Sequence, residues 1–273
     1  MDDSARPLRI LSLDGGGIRG LSSLYILQNL MDKISRLEGR DGIKPYEYFD
    51  LIVGTSTGGL IAVMLGMLHK NIPAYISQYT EMAPKIFPLD KFASGLRFTR
   101  ERHMFDLEPF AKVVKQLEAC LATSAAPFIF PPVKLGVPPR SYIDGGLGYN
   151  NPIIAAYNEA SIMGKNIGCL VSIGTGAGFP TWGNKMVDFV RWLLNVATSA
   201  EVIAETFQTL KGKDLEGRYF RFNASGIENT SLQEWAEAEE IAIATHDYLE
   251  GEKEKEKLEA CAKLLHRLKG KCQ

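Results

Sequence analysis

At 273 residues with 45% hydrophobic content, the chain is long enough to bury a substantial core and too apolar for an intrinsically disordered segment. A formal net charge of −1 leaves no bulk electrostatic attraction for nucleic acid. We expect a single domain over residues 1–273, without repeats or low-complexity linkers.

In chain order, Met1 to Arg9 carries charges and Pro7 ahead of a short apolar run, so no signal peptide is expected. A strand at Arg9–Leu13 then runs into Asp14-Gly15-Gly16-Gly17-Ile18-Arg19-Gly20, followed by a helical pattern at 20–37. Successive small residues at a helix start offer backbone N–H groups to an anion. A second strand, Leu51–Val53, runs into Gly54-Thr55-Ser56-Thr57-Gly58-Gly59. That G-x-S-x-G has the spacing of a nucleophile elbow, where a strand-to-helix turn exposes a serine hydroxyl. The helix after it, at 58–69, is apolar all round, as one buried behind a sheet should be. Leu51 to Leu68 has no charged residue, but its Gly-rich interruption favours strand, elbow and helix over a membrane span.

Helical patterns continue at 73–83 and 107–120. A third strand at Ser141–Ile143 meets Asp144-Gly145-Gly146, an Asp-Gly turn whose acid is the candidate partner of Ser56. A helix at 151–163 precedes strands at Cys169–Ile173 and Tyr219–Phe222, separated by a helix at 185–210. Two helices at 233–249 and 252–269 close the chain. In the last, Leu258, Cys261, Leu264, Leu265 and Leu268 form one apolar stripe, expected to pack onto the domain. Strands alternating with helices imply an α/β fold: a mostly parallel sheet, helices on both faces, and turns at the strands' carboxyl ends forming the site.

Two segments have lipid-facing composition. Phe87 to Phe105 mixes aromatics with Lys91, Arg97, Arg100 and Arg102, and Ala126 to Val133 sets Phe128 and Phe130 among prolines, as an acyl channel would. Cys120, Cys169, Cys261 and Cys272 lack metal-ligand spacing, and no calcium-loop pattern occurs. We expect no metal and no cofactor, with reduced thiols in the cytoplasm.

The order Asp-Gly-Gly-Gly-x-Arg-Gly, Gly-x-Ser-x-Gly, Asp-Gly-Gly resembles the patatin-like phospholipases. Ala122-Thr123-Ser124-Ala125-Ala126-Pro127, Ser172-Ile173-Gly174-Thr175-Gly176 and Tyr219-Phe220-Arg221-Phe222-Asn223 extend the resemblance, the last toward fungal-type members. It implies a patatin-like three-layer sandwich and a Ser56–Asp144 dyad in place of a triad. It also implies an oxyanion hole from Gly15, Gly16 and Gly17, shaped by Arg19, with Asp14 bracing the turn. Gly54, Gly58, Gly145 and Gly146 would be the elbow and turn glycines. The implied protein is a cytoplasmic lipid acyl hydrolase acting peripherally at a membrane surface, without a transmembrane segment.

A conventional triad would need His246 or His266, the histidines that follow Asp144. Both lie in strongly charged helical sequence, and nothing beside either resembles a catalytic loop. The chain also departs from the family. Asp144 lies only 88 positions after Ser56, because the helical pattern ending near Leu117 runs almost directly into Cys120. A strand and its loops are expected to be missing there. Three readings stand: a hydrolase of phospholipid, lysophospholipid or acylglycerol esters, a transacylase using the same acyl-serine, and a catalytically impaired lipid-binding or regulatory module.

Overall fold

A computed structural model describes residues 6–86, 118–126, 130–176, 200–227 and 237–270. Strand β1 (Leu8–Leu13) is buried along its whole length. Helix α1 (Gly20–Glu38) follows and ends at Gly39, whose φ of 63° suits a left-handed helix stop. Then come β2 (Leu51–Gly54), α2 (Thr57–Ala62), a π turn at Val63–Met67, and α3 (Ile72–Ile86). The middle of the chain gives α4 (Glu118–Thr123), β3 (Val133–Leu135), β4 (Arg140–Tyr142), a helical turn α5 (Gly146–Tyr149), α6 (Ile153–Ile162) and β5 (Ile167–Ile173). The last elements are α7 (Ala200–Lys211), β6 (Tyr219–Phe222), α8 (Ala238–Glu250) and α9 (Glu252–Gly270).

The main sheet has the order β2-β1-β5-β6, and every pairing in it is parallel. Apolar residues on both faces of β1 and β5 explain why these two are central, since parallel strands are covered on both sides. Leu11, Leu13, Val171 and Ile173 face one core with α1, α8 and α9. Leu8, Ile10 and Leu170 face the other with Ile153 and Ala156 of α6 and Phe207 of α7. Helices therefore cover both faces, and the three-layer α/β expectation holds. The C-terminal helix packs as its stripe predicts, with Leu258, Cys261, Leu264 and Leu265 buried.

One strand has a different partner from the one expected. Residues around Ser141 do form a strand, but β4 pairs antiparallel with β3 in a separate two-stranded hairpin. The predicted helical stretches 107–117, 185–199 and 233–236, the segment Phe87 to Phe105, and residues 127–129 of the proposed acyl channel lie outside the described residues.

Register brings the sheet's carboxyl ends level. Leu13 pairs with Gly54 and with Ile173, and Ile173 pairs with Phe222. Each strand thus releases its next residues onto one crest: Asp14 to Gly17, Thr55 and Ser56, Gly174 to Gly176, and Asn223. At the opposite edge, the Asp50 carboxylate accepts from the Arg9 backbone N–H at 2.9 Å and from the Arg9 guanidinium at 3.0 and 2.8 Å, which fixes the start of β2 against β1. No described helix is long and apolar enough to cross a membrane.

Candidate active site

Ser56 occupies the sharp turn from β2 into α2 with φ 52° and ψ −123°. A positive φ is unfavourable for a residue with a Cβ, and such strain clusters at functional sites. The surrounding glycines make the turn feasible. A Cβ at Gly54 would lie 2.1 Å from the Gly58 carbonyl oxygen, and one at Gly58 would lie 2.3 Å from the Leu13 carbonyl oxygen. Both obstacles are backbone held in place by the sheet or the elbow. We expect Gly54→Ala to cost at least about 3 kcal/mol, whereas Gly66→Ala, which meets only the Ile52 side chain at 3.3 Å, costs far less. Chemical denaturation of the two variants tests this, and equal midpoints would refute the close-approach argument.

The Ser56 N–H donates to Thr123 Oγ1 at 2.9 Å, and its carbonyl accepts the Leu60 N–H at 3.1 Å to start α2. The elbow is thus locked from both sides, by α4 and by its own helix.

Asp144 is 4% exposed. Its backbone N–H donates to the Ala125 carbonyl at 2.9 Å, and its Oδ1 accepts the Gly146 N–H at 2.7 Å. Burial pushes its carboxyl up from the ordinary range to about 6, while hydrogen bonds from the Ser56 side chain and the Gly146 N–H pull it down. The Ser56 hydroxyl thus lies near enough to influence the titration of the carboxyl that sequence pairs with it. Gly145 and Gly146 carry the turn that aims the carboxylate back toward the elbow.

Neither downstream histidine lies in this cluster. His266 approaches Glu38 at 4.0 Å, at the far end of α1, about 27 Å along the helix from the glycine turn. His246 is exposed and faces Asp247. His69 stacks on Tyr46.

The glycine turn is braced group by group. Gly15 donates its N–H to the Asn150 carbonyl at 3.0 Å, and its own carbonyl accepts the Thr175 hydroxyl at 2.8 Å. The Gly15 N–H is thus already used in the structure. The Gly17 carbonyl accepts from the Tyr79 hydroxyl at 2.7 Å and the Thr57 hydroxyl at 3.1 Å. Gly17 has φ 55°, which fits glycine there. Among the described residues, no acceptor takes the N–H of Gly16, of Gly17, or of Thr57 at the start of α2. Arg19 ends the short 3-10 turn, with its N–H on the Gly16 carbonyl at 3.1 Å. Thr55 ties the elbow to the same scaffold, because its hydroxyl donates to the Tyr149 carbonyl at 2.6 Å.

Asp14 is fully buried and braces the turn from beneath. It accepts from Arg221 at 2.7 Å, and Arg221 also donates to Ser172 Oγ at 2.9 Å and to Glu201 at 3.0 Å. Burial raises the Asp14 carboxyl to about 6 against the opposing pull of the Arg221 guanidinium. We expect Arg221→Met to destabilise the protein by about 3–5 kcal/mol, because it strands Asp14 as a buried uncompensated charge. The loss should grow from pH 5 to pH 8, since without Arg221 the folded state holds the Asp14 proton more tightly. Urea midpoints at the two pH values check it. A change under about 0.5 kcal/mol, typical of surface sites, would mean the network carries no stability.

Thr123, Thr175, Tyr79 and Arg221 were not legible as site residues, because each acts from a distant element. Thr123, Thr175 and Arg221 lie inside motifs that carry the family resemblance, whereas Tyr79 carried no sequence signal.

Residues 11–117 and 108–157 match the family model described as patatin-like phospholipase. The rat calcium-independent phospholipase A2-gamma is 26% identical over 329 residues, covering 97% of this chain and 41% of the relative. The cGAMP-activated phospholipase of Vibrio cholerae serotype O1 is 29% identical, covering 56% of this chain and 57% of the relative. Patatin-like protein 1 of Arabidopsis thaliana is 29% identical, covering 62% and 58%. The chain thus spans about two fifths of the rat relative's length. That alignment of 329 residues is longer than the whole 273-residue chain, so the relative carries stretches with no counterpart here.

Proposed function

Since the chain belongs to the patatin-like phospholipase family, we propose that it is a serine lipid acyl hydrolase whose nucleophile is Ser56 and whose acid–base group is Asp144. The observation that carries this reading is a strained serine on the elbow at the sheet's carboxyl crest, together with a buried carboxylate whose titration it influences. A carboxylate with a pKa near 6 is a better base than an ordinary aspartate and is still ionised at neutral pH. It remains far too weak to generate a free alkoxide, so proton transfer accompanies attack.

Ser56 Oγ bonds to the ester carbonyl carbon as its proton moves to Asp144. The carbonyl electron pair goes onto oxygen, where the N–H groups of Gly16, Gly17 and Thr57 receive it. Gly15 shapes this hole without donating to it, and Arg19 fixes the end of its turn. The tetrahedral centre then breaks its bond to the alcohol oxygen, which takes the proton from Asp144. Water repeats the sequence on the acyl-serine and releases the fatty acid. The substrate is an acyl ester of a phospholipid, lysophospholipid or acylglycerol, reached at a membrane surface by a peripheral, cytoplasmic protein.

A second reading is a non-catalytic lipid-binding or regulatory module. It is favoured by the extra length of the rat relative and by the position of β2, which bears the elbow, at one end of the described sheet. A fluorophosphonate separates the two. Stoichiometric labelling mapped to Ser56, and lost in Ser56→Ala, is the expected result. A folded protein that stays unlabelled would overturn the hydrolase reading in favour of the module.

A further inference from the structure

The hairpin β3–β4 and the turn after Asp144 carry an unusual share of exposed apolar surface. Val137, at the hairpin tip, is 101% exposed, and Tyr142 and Ile143 follow at 42% and 51%. Past the buried acid, Leu147 and Tyr149 are 39% and 62% exposed. Neither strand of this hairpin pairs with the main sheet among the described residues, since β3 and β4 pair with each other. Large apolar groups left in water beside a reaction centre call for an occupant.

Charge identifies that occupant. Between Glu118 and Asp144 the sequence has no acidic residue, and its only bases are Lys134 and Arg140, both exposed on the hairpin. Two exposed bases on a stretch whose one neighbouring acid, Asp144, is buried complement, with the apolar tips, an anionic lipid headgroup layer over an acyl interior. The patch is also tied to the site. Tyr149 accepts from Thr55, Asn150 accepts from Gly15, and Asp144 lies between Ile143 and Leu147.

We propose that this hairpin and turn are the membrane-docking surface, with Val137 and Ile143 entering the interfacial layer while Lys134 and Arg140 hold anionic headgroups. The proposal rests on the lipid acyl hydrolase reading for its purpose. Docked this way, the protein brings the turn that carries Asp144, and with it the elbow tied to that turn, up to the lipid surface, so an ester crosses little water to reach the serine.

The test uses the full chain carrying Ser56→Ala, so that vesicles are not consumed. Sedimentation with phosphatidylcholine vesicles containing phosphatidylglycerol should show binding that weakens at high salt. Val137→Asp and Lys134→Glu/Arg140→Glu should each weaken it by about tenfold or more with the thermal midpoint unchanged. Wild-type affinity in both variants would overturn the proposal. So would variants that instead dissociate a dimer on gel filtration, because the patch would then join two copies. Fluorophosphonate labelling of the Ser56 protein is scored separately. Hairpin-dependent vesicle binding without labelling would sink the hydrolase reading and leave the docking surface standing.

Discussion

Replacing Ser56 with alanine is expected to lower ester turnover on phospholipid by at least about 10⁴-fold, with thermal stability unchanged near pH 4, where Asp144 is protonated, and somewhat reduced at pH 8. The catalytic loss follows from the lack of a second nucleophile in the cluster among the described residues. Among the described residues, Asp144 is the ionisable group whose titration the serine influences, and both later histidines lie elsewhere. Alanine occupies the same strained turn, with φ near 52°, and keeps the backbone bonds to Thr123 and Leu60. Asp144 loses the hydrogen bond that pulls its pKa down, so its carboxyl should titrate above 6 in the variant. Fatty-acid release measured beside a thermal melt checks both halves. Retention of more than about a tenth of the rate would mean that Ser56 is not the nucleophile.

What was legible in the sequence follows from the range over which each feature is encoded. The three glycine turns were readable because a turn's requirements are local. Gly54 and Gly58 flank Ser56 within five residues, and each prevents a backbone collision. The parallel sheet was readable because β1 and β5 are apolar on both faces. The partners of the bracing side chains were not, although the residues lie in recognisable motifs. Thr123 reaches the elbow across 67 positions, Thr175 reaches Gly15 across 160, and Arg221 reaches Asp14 across 207. No periodicity reports such pairings. The hairpin illustrates the same limit. Ser141 to Ile143 has strand-like residues, but a strand does not name its partner, and β3 is flanked by prolines at 131, 132, 138 and 139 that mask its pattern.

The extra stretches of the rat relative bear on β2 in the same way. A missing strand would be felt at a sheet edge, and β2 is an edge among the described strands, half-buried along its length. Its ties to the rest run through β1, the Arg9–Asp50 cluster and the packing of α2. The elbow therefore keeps its geometry from within the fold that is present.

Asp144→Asn should combine a catalytic loss of about 10³–10⁴-fold with a gain in stability. The gain follows from linkage. The Asp144 carboxyl sits near pH 6 in the folded protein and near 3.8 unfolded. Between those values the folded state binds more protons, so its contribution to stability is complete below about pH 4 and is lost as pH rises through 6. A shift of this size corresponds to about 3 kcal/mol by pH 8. Asparagine carries no charge, and its Oδ1 still accepts the Gly146 N–H. The variant should therefore melt several degrees higher than the parent at pH 8 and level with it at pH 4. Asp14 has the same raised carboxyl in both proteins, so its effect cancels in the comparison. Activity runs the opposite way. In the parent, kcat/KM should climb with pH through about 6 as Asp144 ionises, and then level off. The charged form that catalysis needs is thus the form the fold disfavours, which is the cost of a functional group held in an apolar site. Melting curves that coincide at pH 8 would mean that Asp144 is solvated in solution. A rate profile flat from pH 5 to pH 8 would mean that another group takes the proton.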